Sequence, residues 1–208
     1  MKLKLNSITA NQNGKELYSE NEIILRKTLD KFNVLNDTEF SDFLNVCKYK
    51  EFAKKQYLLK SGNYNHGIYF LISGAVGLFE LIDGKEMYQN FFLESEFANE
   101  LKSLTTQTPS TKNLIALSDT TLFYLNRKEL LELYEKSVSF ERLGRKLLEH
   151  LLNGQNEISY VLQSLKPEER YAYLENKRPN LLNTIPLTYL ASYLGLARET
   201  LSRIRAKR

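Results

Sequence analysis

Apolar positions recur along this chain with more than one spacing, and the changes of spacing divide it. Across residues 21–50 they return every three to four residues: Ile24, Leu25, Leu29 and Phe32, then Phe40, Phe43, Leu44 and Cys47. That spacing puts each set on one face of a helix. Residues 1–20 show no such period and read as a loose polar arm.

From Phe52 to about Tyr124 the texture changes. Runs rich in β-branched and aromatic residues are punctuated by Ser61-Gly62, Ser73-Gly74 and Asp83-Gly84. Short strands between regular turn signals predict an all-β sandwich or barrel. Asp83-Gly84 is the best hairpin signal, because both central residues of a type I′ turn need positive φ. The polar stretch ELKSLTTQTPSTKN then holds Pro109, and LIALSDTTLFYL reads as strand again.

Helical spacing returns from Leu130 to Leu165 and persists. A heptad places Gly144, Leu151, Ile158 and Leu165 at one core position and Leu147, Gly154 and Val161 at the other. Such a seam predicts pairing with a second copy, the glycines letting the helices approach closely. The same pattern also fits a helix packed on its own β-domain. Asn153-Gly154 could instead be a break, since glycine inside a helix costs about 1 kcal/mol against alanine, but the pattern favours a dimer helix. Lys166-Pro167 ends the stretch, the residue before proline being pushed out of helical geometry.

PEERYAYLENKRP reads as a short helix. After Pro186, which suits a first helical turn, Leu187, Leu190, Ala191 and Leu194 form one apolar face. Gly195 marks a left-handed helix end. Leu196, Leu201 and Ile204 then anchor a second helix from about Ala197. Helix, glycine turn and helix are the grammar of a helix-turn-helix. Arg198, Glu199, Ser202 and Arg203 are left outward on the second helix. Arginine can bond guanine with both prongs and glutamate can accept from cytosine, so Arg198, Glu199 and Arg203 are candidate base readers. Thr200, Ser202, Arg205 and Lys207 are candidate phosphate contacts, which hold register without reading sequence.

Charge sharpens this picture. Residues 166–208 carry nine basic and four acidic side chains, a net +5, whereas the whole chain is +4, so the rest is −1. A basic module on a near-neutral body fits a polyanion partner; on charge alone a solvated basic tail fits too. The other bulk features exclude more than they suggest. No apolar run approaches the roughly 18 residues that span a bilayer, so no membrane partner is expected. The start has no apolar signal-peptide region. The one cysteine, Cys47, cannot form an intrachain disulfide, which makes a cytoplasmic location the default. No phosphate-binding loop, dinucleotide fingerprint, serine elbow or paired-histidine motif is present, so no enzyme is expected.

With these motifs in place, the chain from about Glu39 onward resembles the Crp/Fnr family of bacterial transcription regulators. LGLARETLSRI is similar to that family's recognition helix. SGNYNHGIYFLISGAVGLFELIDGKEM and FANEL resemble its roll. The resemblance implies an α+β fold. Residues 1–35 form an arm and helix; 36–128 form a double-stranded, jelly-roll-like β-roll that senses an effector. Residues 129–165 form a long dimerisation helix, and 166–208 form a helix-turn-helix domain lacking a C-terminal wing. It implies a homodimer on palindromic double-stranded DNA, with RNA polymerase as a further partner. Arg198, Glu199 and Arg203 fall where the family reads bases.

In cyclic-AMP-binding members of the family, a Gly-Glu-Leu is followed by an arginine that grips the phosphate. Here the sequence reads Asn99-Glu100-Leu101, and Ser110-Thr111 stand at the arginine's place, with Gln155 and Asn156 near the base. Losing the guanidinium removes the strong charge-assisted bonds, and losing the glycine crowds the phosphate. No tight cyclic AMP binding is expected, and the effector is unidentified. An iron–sulfur cluster needs several cysteines, so Cys47 reads as a buried core thiol. His66 and His150 lack a second ligand at metal spacing, so neither a metal nor haem is expected. The alternative to a DNA-binding regulator is a β-roll signalling protein that binds a ligand or another protein and no specific DNA.

Overall fold

The computed structural model describes residues 9–10 and 16–207, so the expected arm at residues 1–20 falls largely outside it, as does Arg208. A short antiparallel pair, β1 (Thr9–Ala10) with β2 (Glu16–Leu17), comes first. Two capped helices follow. In α1 (Glu20–Leu29), Ser19 accepts the Glu22 N–H while the Glu22 carboxylate accepts the Ser19 N–H. Asn36 and Glu39 do the same for α2 (Asp37–Val46). Both are capping boxes, which satisfy otherwise orphaned first-turn amides.

Helix α2 stops at Val46, and Cys47 opens β3 (Cys47–Phe52). The spacing from Phe43 to Cys47 is helical only by coincidence, and residues 47–50, expected as helix, are strand. The remaining strands are β4 (Tyr57–Leu59), β5 (Gly67–Ser73), β6 (Val76–Ile82), β7 (Lys85–Phe92), β8 (Phe97–Ala98), β9 (Lys112–Ala116) and β10 (Thr120–Asn126). They form two antiparallel four-stranded sheets, ordered β3-β10-β5-β8 and β4-β9-β6-β7, stacked as a jelly-roll-like sandwich. At the β6–β7 hairpin, Asp83 and Gly84 have φ of 50° and 74°, the pair of positive values a type I′ turn requires.

Strand alternation sorts the core into three. Tyr69, Leu71, Val76, Leu78, Leu114 and Leu122 point between the sheets. Ile68, Phe70, Ile72, Phe123 and Leu125 point out of the first sheet onto α1 and α2, and onto the helices that follow β10. Phe79, Tyr88 and Phe91 point out of the second sheet into a core shared with the C-terminal helices. An apolar cavity of about 10 Å³ lies between the first sheet and α1–α2, lined by Leu25, Phe43, Cys47 and Phe70 among others.

The helical stretch expected from Leu130 to Leu165 is two helices, α4 (Arg127–Lys136) and α5 (Val138–Ser164), and α5 runs through Asn153-Gly154 without a break. Ser137 separates them in an extended conformation, its hydroxyl accepting the Ser139 N–H at 3.1 Å. The hydroxyl also donates to Glu39 at 2.7 Å, which ties the elbow to α2. After α5 the chain turns through Leu165 into α6 (Pro167–Lys177), then α7 (Pro179–Thr184), α8 (Leu187–Tyr193) and α9 (Arg198–Ala206). A short helix, α3 (Leu101–Thr106), links β8 to β9. Among the described residues no helix is long and apolar enough to cross a membrane.

Candidate nucleic-acid interface

Helices α8 and α9 meet as the sequence predicts. Gly195 turns between them with φ 63°, a left-handed conformation that favours glycine. The Leu196 N–H donates to the Ala191 carbonyl at 2.9 Å across the turn. Pro186 sits just before α8, at its N-cap. Leu201 and Ile204 bury the inner face of α9 against Leu190, Ala191 and Leu194.

The outer face of α9 is open. Arg198, Glu199, Ser202, Arg203, Arg205 and Lys207 are exposed, and Thr200 is half-buried. Arg198 and Glu199 are adjacent and Glu199 and Arg203 are four residues apart, so the helix brings them to one side. The four basic side chains and Glu199 make no hydrogen bond or ion pair with the described residues. Ala197 gives α9 no side-chain cap, which leaves its first-turn amides and the positive end of its dipole available.

Two other arginines of the basic module are engaged inside the protein. Arg170 donates from Nε to the Leu165 carbonyl and from Nη1 to the Leu194 carbonyl, each at 2.9 Å. It thus ties the end of α5 to the helix-turn-helix. Arg178 reaches across to β7 and is held by Glu96 at 2.9 Å. The net charge counted from sequence therefore overstates what faces outward. Neither role had a sequence signal beyond charge.

The helix-turn-helix is seated on β7. Tyr88 packs against Tyr189 with tilted rings, centroids 4.6 Å apart, and Phe91 meets Tyr193 edge-on at 5.4 Å. Burial, with Glu86 and Tyr189 alongside, pushes the Tyr88 phenol far above the usual tyrosine range. Burial followed by Glu157 raises Tyr173 to about 12. These phenols stay neutral donors at any physiological pH. Sequence reading missed this contact. The one hint was that Tyr88, Phe91 and Phe92 make the end of that strand apolar on both faces.

The expected dimer seam is divided. Leu147 and Val161 are buried in this chain's own cores, and Gly144 lies against Tyr134 of α4, whose hydroxyl occupies the space a Cβ would need. Leu151, Ile158 and Leu165 are half-buried and Gly154 is exposed. The large apolar side chains that α5 leaves exposed among the described residues are Val138 at its start, Leu148 and Leu152, one residue along from Leu147 and Leu151, and Tyr160. Within the single chain, then, Leu147 and Val161 are covered and Gly144 packs on Tyr134.

The expected effector residues are likewise only partly gathered. Asn99, Glu100 and Ser110 are buried, Leu101 begins α3, and Thr111 is exposed. The Glu100 carboxylate accepts the Ser103 N–H at 2.8 Å, which makes it the α3 cap. Asn65 donates from Nδ2 to the Glu100 carbonyl at 3.0 Å and from its N–H to the Ser103 hydroxyl at 2.9 Å. The Ser110 hydroxyl closes on its own turn, donating to the Lys112 carbonyl and accepting the Lys112 N–H, both at 3.0 Å. Gln155 and Asn156 lie exposed on α5 and make no hydrogen bond to this group. These polar groups are satisfied by one another and by their own turns, and no cationic side chain is bonded to them among the described residues.

Cys47 is buried; desolvation, then Glu129, pushes its thiol far above the ordinary range. His66 stacks on Tyr64 and His150 meets Phe32 edge-on. No group of three metal-ligating side chains occurs among the described residues.

Comparison with known proteins agrees with this architecture. Residues 49–137 match the cyclic nucleotide-binding domain family. No curated protein matches the sequence. Among solved structures, the chain is similar to FixK2 from Bradyrhizobium japonicum, with TM-score 0.69 and 19% identity over 78% of this chain and 84% of that one. It is similar to the catabolite activator protein of Thermus thermophilus, with TM-score 0.55 and 23% identity over 86% and 85%. It is also similar to the c-di-GMP responsive global regulator CLP of Xanthomonas campestris, with TM-score 0.61 and 19% identity over 83% and 91%. The fold is shared with these structures: a cyclic-nucleotide-binding-type roll followed by C-terminal helices.

Proposed function

We propose that this chain is a sequence-specific, DNA-binding transcription regulator of the Crp/Fnr type that acts as a homodimer in the cytoplasm, and that it is not an enzyme. The observation that carries this reading is α9, where Arg198, Glu199 and Arg203 stand exposed without internal partners on a helix anchored by Leu201 and Ile204. A rigid helix with unpaired base-reading side chains on one side suits the major groove. Thr200, Ser202, Arg205 and Lys207 flank that side and serve as phosphate contacts.

Dimerisation through α5 presents two copies of α9 to a palindromic site, with the exposed Leu148 and Leu152 as the core of the contact. RNA polymerase is the natural further partner of such a regulator. The roll does not bind cyclic AMP tightly, because Ser110 and Glu100 already serve the fold. The protein needs no metal, haem or iron–sulfur cofactor.

The decisive experiment is selection of a preferred duplex by the purified protein, followed by Arg198→Ala. Loss of a bidentate base contact weakens the selected site by about 1–3 kcal/mol while random DNA is bound nearly as before. Equal loss on random DNA overturns the base-reading role. A protein that selects nothing, or whose DNA binding is insensitive to salt, overturns the reading itself.

A further inference from the structure

Strand β7 is an edge strand of its sheet, and backbone groups along it are bonded by the C-terminal module. Arg178, between α6 and α7, lays its guanidinium on this edge. Nη2 donates to the Phe91 carbonyl at 2.8 Å and to the two Glu96 oxygens at 3.1 and 2.9 Å. Nη1 donates to Asn90 Oδ1 at 3.0 Å. A planar fork satisfies a carboxylate, a carbonyl and an amide together only in a narrow range of orientations, so this contact fixes an angle as well as a distance. Little slack separates the grip from the helices it holds. Arg178 caps α6 and α7 at once, and Pro179 opens α7. Leu181, Ile185, Leu190, Leu201 and Ile204 share one core, which makes α7–α9 a single block.

We propose that Arg178 is a positioning residue for DNA reading. Through Glu96, Asn90 and the Phe91 carbonyl it holds the α6–α9 block at one angle to the roll, and so sets where α9 meets the duplex. This rests on the DNA-binding reading above and adds to it a residue that touches no DNA. Arg178 is largely enclosed and its charge is matched by Glu96, which leaves it unsuited to a phosphate. In a dimer, both α9 helices must reach successive turns of the same groove. A loosened angle therefore misplaces two reading heads together and spares non-specific attraction.

The test uses the full chain with Arg178→Glu, Glu96→Arg, the two exchanged together, and Arg178→Lys. Each is titrated with the duplex that wild type selects and with random duplex of equal length. In parallel, spin labels at Glu51→Cys and Ala206→Cys report the distance between the roll and α9. Each single charge reversal is expected to lose about tenfold or more on the selected duplex, stay within about twofold on random duplex, and broaden the distance distribution. The exchange recovers most of the affinity and narrows the distribution again. Arg178→Lys, which keeps the charge and loses the fork, falls between and carries the test if a reversal does not fold. Wild-type affinity with an unchanged distribution in the single variants overturns the proposal, as does an exchange that recovers neither, or an equal loss on random duplex. Wild type that selects no sequence overturns the preceding reading and this one with it; selective wild type with unaffected variants overturns this one alone.

Discussion

Ser192 stands where a neighbouring strand would otherwise pair with Tyr88: its hydroxyl accepts the Tyr88 N–H at 3.0 Å and donates to the Glu86 carbonyl at 2.9 Å. One side chain from the first helix of the helix-turn-helix thus satisfies two open groups on an edge strand. Ser192→Ala removes both bonds and leaves the Tyr88–Tyr189 ring contact in place. Because the site is only partly buried, water replaces some of the loss. The expected cost is about 1 kcal/mol, read by urea unfolding. An unchanged midpoint would mean that the aromatic contacts alone seat the module.

Gly144 answers to Tyr134. A Cβ at this position would run into the end of the tyrosine ring. Gly144→Ala forces that ring out of the gap between α4 and α5, a cost of about 1–3 kcal/mol that helix propensity offsets only in part. The expected result is a lower melting temperature with the oligomeric state unchanged. A variant that melts normally but no longer dimerises would return Gly144 to the dimer seam.

What the sequence made legible were features written locally. Asp83-Gly84 and Gly195 needed positive φ, and their residue types said so. Leu201 and Ile204 faced inward because helical spacing allowed nothing else. What it concealed depended on distant parts of the chain. Helical period runs unbroken through residues 130–165, so a single serine cap at Ser137 left no mark on it. The heptad found an apolar stripe on α5, but counting cannot tell whether the chain's own α4 already covers it. Arg170 and Arg178 counted as free charge, because only tertiary structure could bring Leu194 and Glu96 to them. Cys47 fell in helical register with Phe43 although it begins a strand.

The free stripe of α5 yields a direct test of the dimer. Leu148 and Leu152 are 37% and 44% exposed, one turn apart on one face of the helix. Covering such a face with its copy removes apolar surface from water and drives association. Leu148→Glu with Leu152→Glu is expected to give a monomer by sedimentation equilibrium, with its melting temperature little changed because both side chains are exposed in the single chain. The same change at Leu147 would instead disrupt the protomer, since that residue is buried. A double variant that stays dimeric places the interface elsewhere.

The self-satisfied network around Glu100 and Ser110 bears on ligand binding. A cyclic nucleotide entering there would have to displace the Ser103 N–H from the Glu100 carboxylate and open the Ser110 turn, without an arginine to receive its phosphate. Ligand that binds only the folded state raises stability by mass action, about 2.7 kcal/mol at one hundred times its dissociation constant. In a chain of this size that is a rise of roughly 5–10 °C in melting temperature. A site of about 10 μM affinity would therefore show this rise in about 1 mM cyclic AMP. No resolvable rise is expected. A rise of that size would show that the network opens on binding, and that another group takes the phosphate in place of the missing arginine.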